Sequence, residues 1–346
     1  MKGPAAILEP HASAMLDDYV ADLAWSGDGR RLAIAGGEGQ VFLASHDPQA
    51  AALSVRAVGS HMMGTLAVAW RPGADVFVTS GQDNAIAFWD GASGAEQRRL
   101  RPAMAWTEQL AWSPDGARLA SAAGRQLTLW SPDGELLHKF APHAGAIAAL
   151  GWDKPGRDLA AATNGAMVIH RVEPPRYDTR QFKWPGSCLT VSFSPNGRVI
   201  ATGMQDGSLH FWYLSSGKDS QMRGYPGKVH LTAWSGDSRW LASNAGDALV
   251  CWDFGGKGPE GTRPVQLTGH TDRIECLAFQ PSGGLLVSAG RDWRLSLWWP
   301  GKAKQALDAH LTDSEPSCLR WSPDGRYLAV GERKGRLSVF ELVKLG

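Results

Sequence analysis

The run Cys188-Leu-Thr-Val-Ser-Phe193, Ser194-Pro-Asn-Gly197 and Leu209-His-Phe-Trp212 holds one unit of a pattern that this chain writes eight times. Apolar residues alternate up to an aromatic, which is the period of a strand with one buried face. A turn follows, in which Pro presets φ and Gly supplies a positive φ. A second strand, a short Gly-containing turn and a third strand ending in Trp complete the core of the unit. The aromatic that ends the first strand recurs at Trp25, Trp70, Trp112, Trp152, Phe193, Trp234, Phe279 and Trp321. The steps are 45, 42, 40, 41, 41, 45 and 42 residues.

The words around each aromatic repeat as well. Ser113-Pro-Asp-Gly116, Gln280-Pro-Ser-Gly283 and Ser322-Pro-Asp-Gly325 stand where Ser194-Pro-Asn-Gly197 stands. Arg118-Leu-Ala-Ser-Ala122 and Tyr327-Leu-Ala-Val330 read as second strands, and Leu127-Thr-Leu-Trp130 as a third. No stretch sustains a helical period. A repeat of about 40–45 residues built from short strands implies one propeller blade per unit. The expectation is an all-β, closed eight-bladed β-propeller of four-stranded antiparallel blades, forming a single domain over residues 1–346. A seven-bladed ring is the alternative if one repeat is degenerate. The fourth is the weakest, with His170 where the third-strand Trp belongs.

Strand counting predicts how the ring closes. The last third strand, Arg336-Leu-Ser-Val-Phe340, leaves six residues, too few for an outer strand of its own. The N-terminal phrase Ile7-Leu8-Glu9-Pro10-His11 matches the outer-strand ends Val58…His61 and Leu267…His270. Residues near 4–10 are therefore expected to pair as the outer strand of the last blade.

These residues resemble the WD40 repeat family over nearly the whole chain. The family's dipeptide occurs at Trp89-Asp90 and Trp252-Asp253, and its Gly-His at Gly269-His270. His61 and His143 lie nine residues before their own aromatics, as His270 does. The resemblance implies a structural hydrogen-bonded tetrad at His61, Thr79, Asp83 and Trp89, and another at His270, Ser288, Asp292 and Trp298. A Ser/His/Asp set of this kind also suggests a nucleophilic triad. The family reading makes it a buried clamp, and no G-x-S-x-G elbow accompanies it.

Other signals bound the function. The formal net charge is +1, which gives no global pull toward nucleic acid or an anionic membrane. No apolar run reaches membrane-spanning length, and the N-terminus lacks a secretory pattern. The four Cys have no C-x-x-C spacing, and free thiols in a reducing cytoplasm are expected. Cys276, Cys318 and His230 fall on or near first strands, where packing is favoured over a channel metal site. Gly36-Gly-Glu-Gly39 lacks the Lys-Ser/Thr of a phosphate loop and reads as a turn. Arg98-Arg99-Leu100-Arg101 reads as charge guarding an outer strand edge. No cofactor, metal or catalytic residue is expected.

What remains is surface. The resemblance places the residue six before each aromatic at the channel mouth: Tyr19, Gly64, Trp106, Ala146, Ser187, Lys228, Arg273 and Glu315. Loop neighbours add Met62, Met104, Trp184, Tyr225 and Trp293. Trp, Tyr, Met and Arg on one face match the composition of interface hot spots. The expected partner-binding set is Tyr19, Met62, Trp106, Trp184, Tyr225, Lys228, Arg273 and Trp293. The expected function is a non-catalytic scaffold or adaptor that binds a protein or peptide, as a monomer or a subunit of a hetero-complex. The alternative is a small-molecule, nucleotide or metal binder, or an enzyme, using the channel mouth.

Overall fold

A computed structural model describes residues 6–102, 104–256 and 258–345. Every regular element among them is a β-strand. The strands form eight antiparallel sheets in chain order, the blades of an eight-bladed β-propeller. Blade one is typical. Its strands are Val20–Trp25, Arg31–Gly36, Gln40–Asp47 and Ala52–Ser60, each paired with the next.

The expected turns close the first hairpins. Ser113 Oγ donates to Asp115 Oδ1 at 2.5 Å and accepts from Arg118 N at 3.0 Å. Gly116 then takes φ +66, which a side chain would resist. The same device recurs at Ser235 with Asp237 and at Ser322 with Asp324. Two of the repeating aromatics tie their sheet to the sheet before it. Trp25 Nε1 donates to Arg320 O at 3.0 Å, and Trp234 Nε1 to Ser192 O at 3.1 Å.

The last blade takes its outer strand from the N-terminus. Its sheet order places Ala6–Met15 beside Arg336–Lys344, followed by Tyr327–Glu332 and Pro316–Trp321. Ala6 and Leu8 are buried there. Residues 4 and 5 of the expected strand lie outside the described residues. The strand does not stop before His11, as the shared phrase suggests; it runs on to Met15. His11 instead packs on Tyr327 and His46, with ring centroids 5.1 and 5.2 Å apart.

Blade four keeps its four limbs despite its weak sequence. Asp158–Arg171 is one long strand that pairs with Ile147–Trp152 through its first half and with Thr179–Ser187 through its second. The chain reverses at Gly165, φ +85. His170 is buried in the Trp position and hydrogen-bonds Thr179 Oγ1 at 3.0 Å. In blade five the regular first strand is shorter than its pattern, Ser192–Phe193, with Cys188 bridging to Met204.

The chain divides into two compact bodies. Leu8–Ala146 with Thr312–Val343 holds blades eight, one, two and three, and Ile147–Leu311 holds blades four to seven. In the first body Leu23, Leu32, Ile34 and Leu337 pack with Tyr327 between adjacent sheets. In the second, Leu249, Leu267, Ile274 and Leu286 do the same with Trp240 and Trp298.

Candidate functional site

The polar sets that suggest catalysis are interior struts. In blade two, Trp89 Nε1 donates to Thr79 Oγ1 at 2.8 Å, Thr79 meets His61 Nε2 at 2.8 Å, and His61 Nδ1 meets Asp83 at 2.8 Å. Blade seven repeats this chain. Trp298 Nε1 reaches Ser288 at 2.8 Å, Ser288 meets His270 at 2.7 Å, and His270 meets Asp292 at 3.0 Å. Thr79 and Ser288 are wholly buried, so neither hydroxyl can meet a substrate. Burial holds the His61 imidazole below its ordinary range, against the pull of Asp83. Burial alone would raise Asp292; the hydrogen bonds from His270 and Thr271 outweigh it and hold the carboxyl low.

Arg99 belongs to this interior system. It is more than an edge charge: its guanidinium pairs with Asp83 at 3.1 Å and donates to Ser60 O at 3.0 Å. Gly36-Gly-Glu-Gly39 is the turn between the second and third strands of blade one. Asp18 caps it, accepting from Glu38 N at 3.0 Å and Gln40 N at 3.3 Å.

The thiols are packing groups. All four Cys are buried, and none forms a disulfide. Burial pushes Cys188 up to about 11 and Cys318 up to about 12, and raises Cys251 as well, so none of these three is a thiolate near neutrality. No cluster with metal-holding geometry occurs among the described residues. A lateral groove of about 720 Å³ runs between blades four and five. Asp158 lies in it, paired with Arg171 at 2.7 Å.

The expected partner-binding residues separate into two groups. Tyr19, Met62, Trp106 and Trp293 are exposed, the two Trp at 46% and 45%. Lys228 is exposed, and Arg273 is half-buried and paired with Glu275 at 2.6 Å. Trp293 holds φ +60, where Gly207 of blade five holds φ +76. The turn thus aims a large side chain outward at a position that favours glycine.

Tyr225 and Trp184 correct the expectation. Tyr225 is turned into blade six, where its hydroxyl accepts from Trp252 Nε1 at 3.0 Å and bonds Ser243 Oγ at 2.9 Å. Trp184 lies on His210 with ring centroids 3.9 Å apart and packs against the core of blades four and five. Both stand nine residues before their aromatics, Trp234 and Phe193, at the offset of His61, His143 and His270. That spacing is the signal that finds them. They fill the histidine's slot with a phenol and an indole.

Comparison with known proteins agrees with this architecture. The WD domain, G-beta repeat, matches residues 179–213, 261–298 and 301–341. Each match begins on or just before the outer strand of one blade and reaches the third strand of the next. The crystal structure of the computationally designed Ika8 protein superimposes with a TM-score of 0.78 at 19% identity, over 96% of this chain and 99% of that one. Repeat, sheet order and buried struts together define a β-propeller. WD40 repeats occur at these three places in the chain, within an eight-bladed β-propeller. Its relatives include the anaphase-promoting complex subunit cdc20 of Dictyostelium discoideum, 24% identical over 82% of this chain and 49% of that protein. Meiotic fizzy-related protein 1 of Schizosaccharomyces pombe is 23% identical over 81% and 57%. The WD repeat-containing protein WDS homolog of Arabidopsis thaliana is 23% identical over 72% and 49%. The chain spans about half the length of the curated relatives it matches.

Proposed function

We propose that this propeller is a non-catalytic adaptor that captures a protein or peptide on the loops before the first strands of its blades and the turns between their second and third strands. One observation carries the reading. Trp106 stands nearly half exposed just before the first strand of blade three, and Trp293 equally so in the turn between the second and third strands of blade seven, while the Ser/His/Asp sets are buried in the blades. Apolar surface of that size outside a core favours an interface. Relatives named for multi-protein assemblies, the anaphase-promoting complex and the THO complex, support the same reading. We place the adaptor in the cytoplasm, which would keep its four thiols reduced.

The test is capture of the native partner from the source organism, quantified by mass spectrometry. Trp106→Ala and Trp293→Ala should fold normally and each weaken capture at least tenfold. Lys139→Ala, on the exposed outer strand of blade three, should leave capture unchanged. Capture that survives both Trp losses would move the binding surface elsewhere.

A further inference from the structure

The closing strand Ala6–Met15 meets blade one at a cluster of rings. His11 on that strand, His46 near the end of Gln40–Asp47 and Tyr327 at the start of Tyr327–Glu332 lie with ring centroids 4.6–5.2 Å apart. Trp25 adds a fourth ring, 5.6 Å from His46. His46 and Tyr327 are buried. His11 Nε2, both ring nitrogens of His46 and the Tyr327 hydroxyl are also buried, and find no hydrogen-bond partner among the described residues. A polar cluster left in that state is costly, and it becomes costlier if it takes on charge.

The other interior histidines are built differently. His61 and His270 each have an aspartate at 2.8 and 3.0 Å that would meet an imidazolium. No carboxylate stands within ion-pair distance of His46 among the described residues, and those around it are engaged elsewhere. From the third strand of blade eight, Glu341 lies 3.6 Å from His11 Nδ1, but Arg326 holds it at 2.8 Å. Arg326 itself lies over the Tyr327 ring at 5.2 Å. Asp324 accepts from Ser322 Oγ at 2.5 Å and from Arg326 N at 3.0 Å, within its own turn. On blade one, Asp47 accepts from Gln49 N at 2.9 Å and Ala50 N at 3.2 Å. Arg30 is exposed beside them, its carbonyl accepting from His46 N at 2.8 Å. Burial is the largest influence on His46 and opposes a proton, as His11 does. The Gly29 backbone, Asp47 and Asp324 favour one, and the balance holds the imidazole below its ordinary range.

We propose that Ala6–Met15 is an acid-released latch: charge on the buried His46–His11 pair expels this strand while the inner strands of blades eight and one stay folded. Once the strand has left, His46 is uncovered and takes its proton near pH 6.5, about the ordinary value. The latched ring accepts it only at lower pH. Latching is therefore complete above about pH 6.5 and is lost as pH falls toward the depressed value. Release bares the backbone edge of Arg336–Lys344, which is a template for a strand from another chain.

Hydrogen exchange read by mass spectrometry on the full chain tests this, with rates corrected for the intrinsic pH dependence of exchange. Segments 6–15 and 336–344 are followed at about pH 7.5 and about pH 5.5, either side of the ordinary histidine value. Their protection should fall by up to about tenfold, the most that one histidine can supply over that range. Strands Arg31–Gly36 and Pro316–Trp321 should keep theirs. His46→Phe, or His46→Gln with a neutral polar side chain, should hold the protection of both segments constant to within about twofold. A fall of less than about twofold in the unsubstituted chain, the same fall in both variants, or a fall shared equally by every blade would overturn the proposal.

Discussion

Replacing Ser288 by Ala measures what the blade-seven strut contributes. The hydroxyl has two partners, Trp298 Nε1 at 2.8 Å and His270 Nε2 at 2.7 Å. Ser288 and Trp298 are wholly buried, so no water replaces the lost oxygen. Ser288→Ala therefore strands two interior groups, each costing roughly 1–3 kcal/mol. The low end of that range gives about 2 kcal/mol. Blade three supplies an internal reference. Ser121 Oγ accepts from Trp130 Nε1 at 2.9 Å, and His143 points instead to Arg125 O at 3.3 Å. Ser121→Ala should strand one group and cost about 1 kcal/mol. Urea unfolding followed by Trp fluorescence reads both as midpoint shifts at constant slope. The expected order is Ser288→Ala costing about twice Ser121→Ala, with partner capture intact at low temperature. Equal costs would refute the two-partner argument. Unchanged stability with loss of a hydrolytic activity would make Ser288 a nucleophile and sink the adaptor reading.

Deleting residues 1–15 removes the outer strand of the last blade and bares the edge of Arg336–Lys344. Burial of Leu8 alone is worth about 2 kcal/mol, so the deletion should lower stability by at least that much and promote aggregation; a truncated chain that melts like the full one would contradict the strand pairing. Acid should weaken the same region. Burial holds the His46 imidazole low, with His11 opposing its protonation and Asp47 and Asp324 favouring it. The unfolded side chain takes its proton near pH 6.5, about its ordinary value. The contribution is thus complete above that pH and is lost as pH falls toward the depressed folded value. His46→Phe should flatten the drop in melting temperature between pH 7 and pH 5, and an unchanged slope would show that His46 is not its source.

The aromatic rhythm was enough to read the number of blades and the closure of the last one, because each blade must bury the same face against the same neighbour. The reading failed where one function is met by a different side chain. Tyr225 and Trp184 look like surface anchors by residue type, yet they occupy the histidine slot of their blades. Position in the repeat outranks residue type there: the slot needs a ring against the third-strand aromatic, and several rings fit. The extension of the first strand past His11 was illegible for a related reason. Only contact with His46 and Tyr327 shows that this histidine packs where the others cap. Exposure itself, as at Met63, depends on a backbone angle that one sequence does not print.

The pairing of Ala6–Met15 with Arg336–Lys344 joins segments about 320 residues apart. Ribosomes extend a chain by about 5–20 residues each second. The early strand thus leaves the ribosome roughly 16–64 seconds before its partner has been synthesised. Throughout that interval Leu8 and an unpaired backbone edge are open to other nascent chains. The last blade can close only once its third strand has emerged, and its yield in a cell depends on how well that waiting segment is kept from pairing elsewhere.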